Sequence, residues 1–174
     1  IDSEILYDHL MNRSQVKMNN PEIYYSENHL KNCTLLRNIF RSLADTLLKE
    51  GKKELAVRVC DRCIVNLPNS VIPYDVFSLA LAEVYYGAGE ISKGNEIMTV
   101  MMNQSSAELG YYFELLPNLL HRYEYEINLN LGILNYIAET ACKFGQEEIG
   151  DKSKEAFEKN LKCYFTQIYQ NFEP

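Results

Sequence analysis

Tryptophan is absent from the 174 residues, and there are only five cysteines, five prolines and eight glycines. So little Gly and Pro excludes collagen-like and linker classes, and five Cys, an odd and sparse set, do not make the disulfide framework of a small secreted domain. Long apolar runs are missing as well. An uncharged run such as Ile127 to Ala138, with its three Asn, is too short and too polar to cross a bilayer. Positive charge is in deficit, 17 Lys and Arg against 24 Asp and Glu for a net charge of -7, which repels a phosphate backbone and argues against nucleic acid as a partner. The start at Ile1 has no initiator Met, no basic n-region and no apolar h-region. The chain is therefore expected to lack a signal peptide and to be an excised piece of a longer protein. What is present is enough for a core: 47% apolar and 24% charged residues match the globular average, and the length sets one domain or one short repeat array.

The apolar residues recur at helical spacing, and strand alternation is absent. Leu36, Phe40, Leu43 and Leu47 form one stripe, and Ala56, Cys60, Cys63 and Leu67 form another. Gly51 stands between them as a helix stop, and Pro68 closes the pair. Residues 1–30 are expected to hold a short helix around Ile5 to Leu10 and a polar turn at Met18-Asn19-Asn20-Pro21, with Ser26 able to cap the helix that follows. Residues 107–126, rich in Tyr and Leu, read as an inserted helix kinked or ended at Pro117.

Helix pairs that recur at thirty-odd residues imply stacking rather than closure. Residues 37–70 resemble a tetratricopeptide repeat through Phe40, Leu43, Ala44, Leu47, Gly51, Ala56, Cys60, Cys63 and Pro68. Residues 75–108 match through Leu81, Ala82, Tyr85, Gly89, Gly94, Met98 and Met101, with Ser78 and Ser106 as departures. A third unit, 131–164, offers Leu134, Ile137, Ala138, Ala141, Gly145 and Gly150 and departs at Lys154, where Phe157, Leu161, Tyr164 and Ile168 carry the stripe instead. The fold expected is all-α, with residues 31–174 forming stacked antiparallel helix pairs in a short right-handed solenoid. The resemblance implies a concave face lined by outward positions of the first helices: Asn38, Arg41, Asp45 and Lys49, then Glu83 and Tyr86, then Asn135 and Glu139. Asp45, Glu83 and Glu139 share one register, which reads either as three solvated carboxylates or as a weakly acidic groove.

Chemistry-bearing motifs are few. Cys60-x-x-Cys63 has the spacing of a redox or metal pair, yet both fall on buried repeat positions and no second Cys or His pair accompanies them, so packing is the expected role. Gly87-x-Gly89 with Gly94 follows no strand, and Asn95 stands where a phosphate loop needs Lys. His9, His29 and His121 are scattered. Catalytic residues, metal and cofactor are therefore all expected to be absent. The aromatic excess, 13 Tyr and 7 Phe, is mostly assigned to packing. Tyr111 and Tyr112 are the exception: with their Leu and Phe neighbours they are too many for one narrow stripe, which makes them candidates for an exposed docking patch.

The run from Tyr7 to Asp75 carries a longer set of landmarks: Tyr7-Asp8, Met11-Asn12, Met18-Asn19-Asn20-Pro21, Tyr25, Glu27-Asn28, Cys33, Glu50-Gly51-Lys52, Cys63 and Val71-Ile72-Pro73-Tyr74-Asp75. In these it resembles the soluble C-terminal region of a bacterial family, of unknown function, of multi-spanning membrane proteins related to protein O-mannosyltransferases. That resemblance implies a glycosyltransferase-like body in the membrane, with catalytic residues outside this stretch, and a soluble domain on the extracytoplasmic, periplasmic face. The function expected is a non-catalytic interaction or scaffolding module that presents or braces an acceptor polypeptide. Its partners would be a protein or peptide, the membrane-embedded part of its own chain, or a second copy. The alternative is a carbohydrate-binding or carbohydrate-processing domain acting on its own.

Overall fold

A computed structural model describes residues 2–14, 18–115 and 117–170, with the backbone path alone at 117–119 and 168–170. Leu116 and the side chains of Leu119 and Ile168, all expected on apolar stripes, lie outside the described residues. The described residues are helical, with no strand among them. The order is α1 (Ser3–Asp8) with a π-helical turn over His9–Arg13, α2 (Glu27–Lys49), α3 (Lys53–Asn66), α4 (Val76–Ala88), α5 (Ile91–Glu114), a 3-10 turn over Pro117–Tyr123, α6 (Glu124–Lys143) and α7 (Glu147–Gln170).

Three tight reversals of one design join α2 to α3, α4 to α5 and α6 to α7. Each is made by a glycine with positive φ, namely Gly51, Gly89 and Gly145. In each, the residue after the glycine donates its N–H back to the last turn of the helix: Lys52 to the Leu47 carbonyl at 2.9 Å, Glu90 to Tyr85 at 2.9 Å and Gln146 to Ala141 at 2.8 Å. This is the left-handed cap that satisfies the orphan carbonyls of a helix end, and a side chain at the glycine would be strained there. Counted back equally from each glycine, the first helices bury the same positions: Phe40, Ser78 and Leu134, then Leu43, Leu81 and Ile137, all fully buried. Counted forward equally, the second helices place a small residue, Ala56, Gly94 and Gly150. A Cβ on Gly94 would stand 2.5 Å from the Tyr86 ring, and one on Gly150 would meet the Cys142 sulfur and, at 3.2 Å, the Ala138 carbonyl. The small residue is what lets each pair of helices approach.

The chain divides into two compact units, 1–97 and 98–174. In unit 1, α2 packs against α1, α3 and α4, and α3 packs against α4. Its core is Phe40, Leu43, Ala44, Leu47, Ala56, Cys60, Cys63, Leu81 and Ala82. Unit 2 is built on α6 against α7, around Leu109, Leu120, Ile127, Leu131, Leu134 and Tyr164.

Several expectations are corrected. The helix expected over 107–126 ends before Pro117, as that expectation allowed, but its first part is the end of α5, which runs to Glu114 ahead of the 3-10 turn that leads into α6. The first helices also begin earlier than the repeat units do, α2 at Glu27 and α6 at Glu124. Ser26 occupies the N-cap position of α2 without capping it, because its hydroxyl is bonded to Nδ1 of His29 at 2.9 Å.

Candidate functional site

Arg37 is the organising residue of unit 1. It falls on the buried stripe of α2 with Cys33, Phe40, Ala44 and Leu47, and its side chain is fully buried. A guanidinium carried into a core needs partners on most of its N–H groups. One terminal nitrogen donates to the Pro73 carbonyl at 3.0 Å and to Oδ2 of Asp75 at 2.8 Å. The other donates to the carbonyls of Leu67 at 3.3 Å and Ile72 at 3.1 Å, and the guanidinium carbon lies 5.6 Å from the centre of the Tyr74 ring. Asp75 spends its other oxygen on the start of α4: Oδ1 accepts from the backbone of Phe77 and Ser78, and Ser78 Oγ accepts from the Asp75 N–H. One fork therefore fixes the whole α3–α4 connection.

A second segment is held beside that connection. The Met18 N–H donates to the Asn66 carbonyl at 3.0 Å, and Asn20 builds a turn by accepting from the N–H groups of Glu22 and Ile23. Between the two lies an open cavity of about 520 Å³. It is lined by Pro21, Glu22, Ile23, Tyr24 and Tyr25 from one segment, by Ser70, Val71 and Pro73 from the other, and by Leu30 of α2. Tyr24 is 89% exposed although it lines a cavity. Two landmark runs of the sequence, Met18 to Pro21 and Val71 to Asp75, are brought together here, which their spacing did not announce.

Of the residues expected to line a groove, Tyr86 is buried, while the others are exposed or half-buried on their helices. Along α2, Arg41 donates to Oδ1 of Asn38 at 2.9 Å, and Lys49 donates to Oδ2 of Asp45 at 2.7 Å. On α6, Asn135 donates to Oε1 of Glu139 at 2.9 Å. These candidates satisfy one another within their own helices. Glu83 is half-buried. Tyr86 is not open to a groove: it is buried in the space left by Gly94, with its hydroxyl donating to Oδ1 of Asn95 at 2.8 Å.

Cys60 and Cys63 are fully buried. Burial pushes the Cys63 thiol up to about 12 and raises Cys60 as well, so neither supplies a thiolate nucleophile. Among the described residues no group of three or more His, Cys, Asp or Glu is arranged to hold a metal ion, and no helix is long and apolar enough to cross a membrane. Asp61 links three helices of unit 1: it accepts from Tyr85 at 2.8 Å and from Lys93 through both oxygens at 2.8 and 2.9 Å.

In unit 2 the two tyrosines proposed for docking part company. Tyr111 is 59% exposed. Tyr112 is half-buried and stacked on Tyr123 with ring centroids 5.1 Å apart, packed against the core. Nearby, Phe113 stacks on Tyr164, and Gln167 of α7 donates to the Phe113 carbonyl at 2.7 Å.

Set beside family models, curated proteins and solved structures, the chain matches none.

Proposed function

We propose that this chain is a non-catalytic interaction module, a tetratricopeptide-like array whose helix pairs stack as a short right-handed solenoid and hold a segment of a partner polypeptide. The observation that carries the reading is the repetition of one hairpin at Gly51, Gly89 and Gly145, each followed at equal distance by a small residue at the crossing. The packing of α2 on both α3 and α4 supports it, because stacking requires each first helix to touch its own partner and the next pair. From the resemblance over Tyr7 to Asp75 comes the remainder of the proposal: the module presents or braces an acceptor polypeptide for a membrane-bound glycosyltransferase-like body, on the extracytoplasmic side. Selection of a random displayed-peptide library on the purified chain tests the central claim. Unrelated clones should converge on a shared motif whose free synthetic peptide competes. Failure to enrich any motif, together with saturable binding on a glycan array, would replace this reading with the carbohydrate-binding one.

A further inference from the structure

We infer that the cavity between residues 21–25 and 70–73 is the seat for the partner, and that it takes an extended, proline-containing peptide carrying Lys or Arg. This rests on the interaction-module reading and names both its site and its ligand.

The walls are fixed before any ligand arrives. Asn20 holds one by two backbone bonds, while Arg37 holds the other through the Ile72 and Pro73 carbonyls. Preorganised walls cost a ligand little ordering entropy. The same bonds decide the mode of recognition. The N–H groups of Glu22 and Ile23 serve Asn20, those of Val71 and Ile72 serve the Pro68 carbonyl, and Pro21 and Pro73 have no N–H to offer. A peptide adding itself as a strand would not find the N–H groups of Glu22, Ile23 and Val71 available, whereas a polyproline-type segment, which makes no such ladder, loses nothing. Tyr24 and Tyr25 supply the flat aromatic surfaces on which proline rings pack, and Tyr24 already stands 89% exposed. The cavity is more open than enclosed. A small molecule would be poorly enclosed there, since such ligands bury about 70–90% of their surface, but an extended chain passing through spreads its contacts.

The sign of charge follows from the lining. Among the described residues Glu22 is the one charged side chain of the lining and is exposed, on a chain of net charge -7. A basic residue beside the prolines is favoured there and an acidic one repelled.

The test uses the whole chain and a capped peptide of Lys-Pro-Pro repeats, followed by the shifts of the tyrosine ring resonances and by anisotropy of a labelled copy. The parent should bind the Lys-Pro-Pro peptide at least tenfold more tightly than a Glu-Pro-Pro or a Lys-Ala-Ala peptide. Tyr24→Ser, at a site exposed enough to leave the fold alone, should weaken binding about tenfold, and Glu22→Lys should reverse the preference between the Lys and Glu peptides. Binding that is indifferent to both substitutions overturns the cavity as the seat while leaving the module reading intact. Library selection that yields a motif without proline overturns the ligand class. No motif from the library and no binding of the Lys-Pro-Pro peptide removes both together.

Discussion

Arg37 illustrates how a single charge can be costly and still necessary. Replacing it with Ala strands the carbonyls of Leu67, Ile72 and Pro73 and the carboxylate of Asp75 away from their donor. Breaking a fully buried pair from one side costs about 3–5 kcal/mol, and with Asp75 21% exposed the loss here should lie toward or below the low end. The urea midpoint of Arg37→Ala should fall accordingly, and Arg37→Lys should recover only part, since one ammonium cannot reproduce a planar fork. The sequence carried a signal for this residue, a lone cation on the stripe of Cys33, Phe40 and Ala44, but stripe reading assigns the buried position to Leu36, which is only half-buried. The two neighbouring tyrosines give a second residue-scale expectation. Tyr111→Ser should leave the melting temperature within the scatter of ordinary surface changes, about 0.5 kcal/mol. Tyr112→Ser removes a stacked ring pair, worth about 0.5–1.5 kcal/mol beyond its burial, and should lower the melting temperature clearly. Tyr111 also meets Tyr112 edge-on at 5.6 Å, so a fall as large for Tyr111→Ser as for Tyr112→Ser would mean that this contact, and not the stacking on Tyr123, carries the pair.

At the scale of elements, the glycines inside helices separate into two kinds. Gly94 and Gly150 sit where a Cβ would strike Tyr86 in one case and Cys142 with the Ala138 backbone in the other, whereas Gly110 and Gly132, also inside helices, have nothing within 4 Å. Gly94→Ala and Gly150→Ala should each destabilise by about 1–3 kcal/mol through overpacking. Gly110→Ala and Gly132→Ala should each stabilise by about 0.5–1 kcal/mol, because only the cost of a helical glycine is removed. Thermal melts of the four variants check both signs. The hairpin turns and crossings were legible because they depend on one or two residue types, Gly at the cap and a small residue at the contact. The start of α2 was legible from Ser26, which occupies its N-cap position, but the start of α6 was not. Glu124 lies well before the repeat register, which marks only where paired helices touch and is silent about how far a helix runs beyond that contact. The cavity was illegible for a related reason: its walls come from segments of no regular period, joined by the Met18–Asn66 bond and the Arg37 fork.

For the molecule as a whole, the ionisable groups divide by environment, and the division sets how stability follows pH. The lowered carboxylates, Asp8, Glu27, Glu50 and Glu148, are all held down first by a side-chain hydrogen bond, and all are open to solvent in part or nearly in full. Their stabilisation is present above the unfolded carboxylate range and is lost as pH falls through the lowered values, so the acid limb should be shallow and weakened by salt. The raised groups are acids of the interior. Burial pushes Cys63 from 9.0 to about 12 and Tyr86 from 10.0 to about 12, and raises Cys60 and Tyr85 too. Here the folded state keeps protons that the unfolded chain releases. Stability from these groups is therefore complete below about pH 9 and declines toward pH 12, by about 1.4 kcal/mol per pH unit for each group while only the unfolded form ionises. All four belong to unit 1, along with the raised Cys33 and Tyr74, while unit 2 contributes Tyr112 and Tyr164. Hydrogen exchange between pH 8 and pH 11, corrected for the intrinsic rate, should show the α3 and α4 amides of unit 1 losing protection before those of α6, and the combined Cys63→Ala, Tyr86→Phe variant should flatten that loss. An alkaline limb as shallow as the acid one, with both units losing protection together, would mean that these thiols and phenols reach water in the native state.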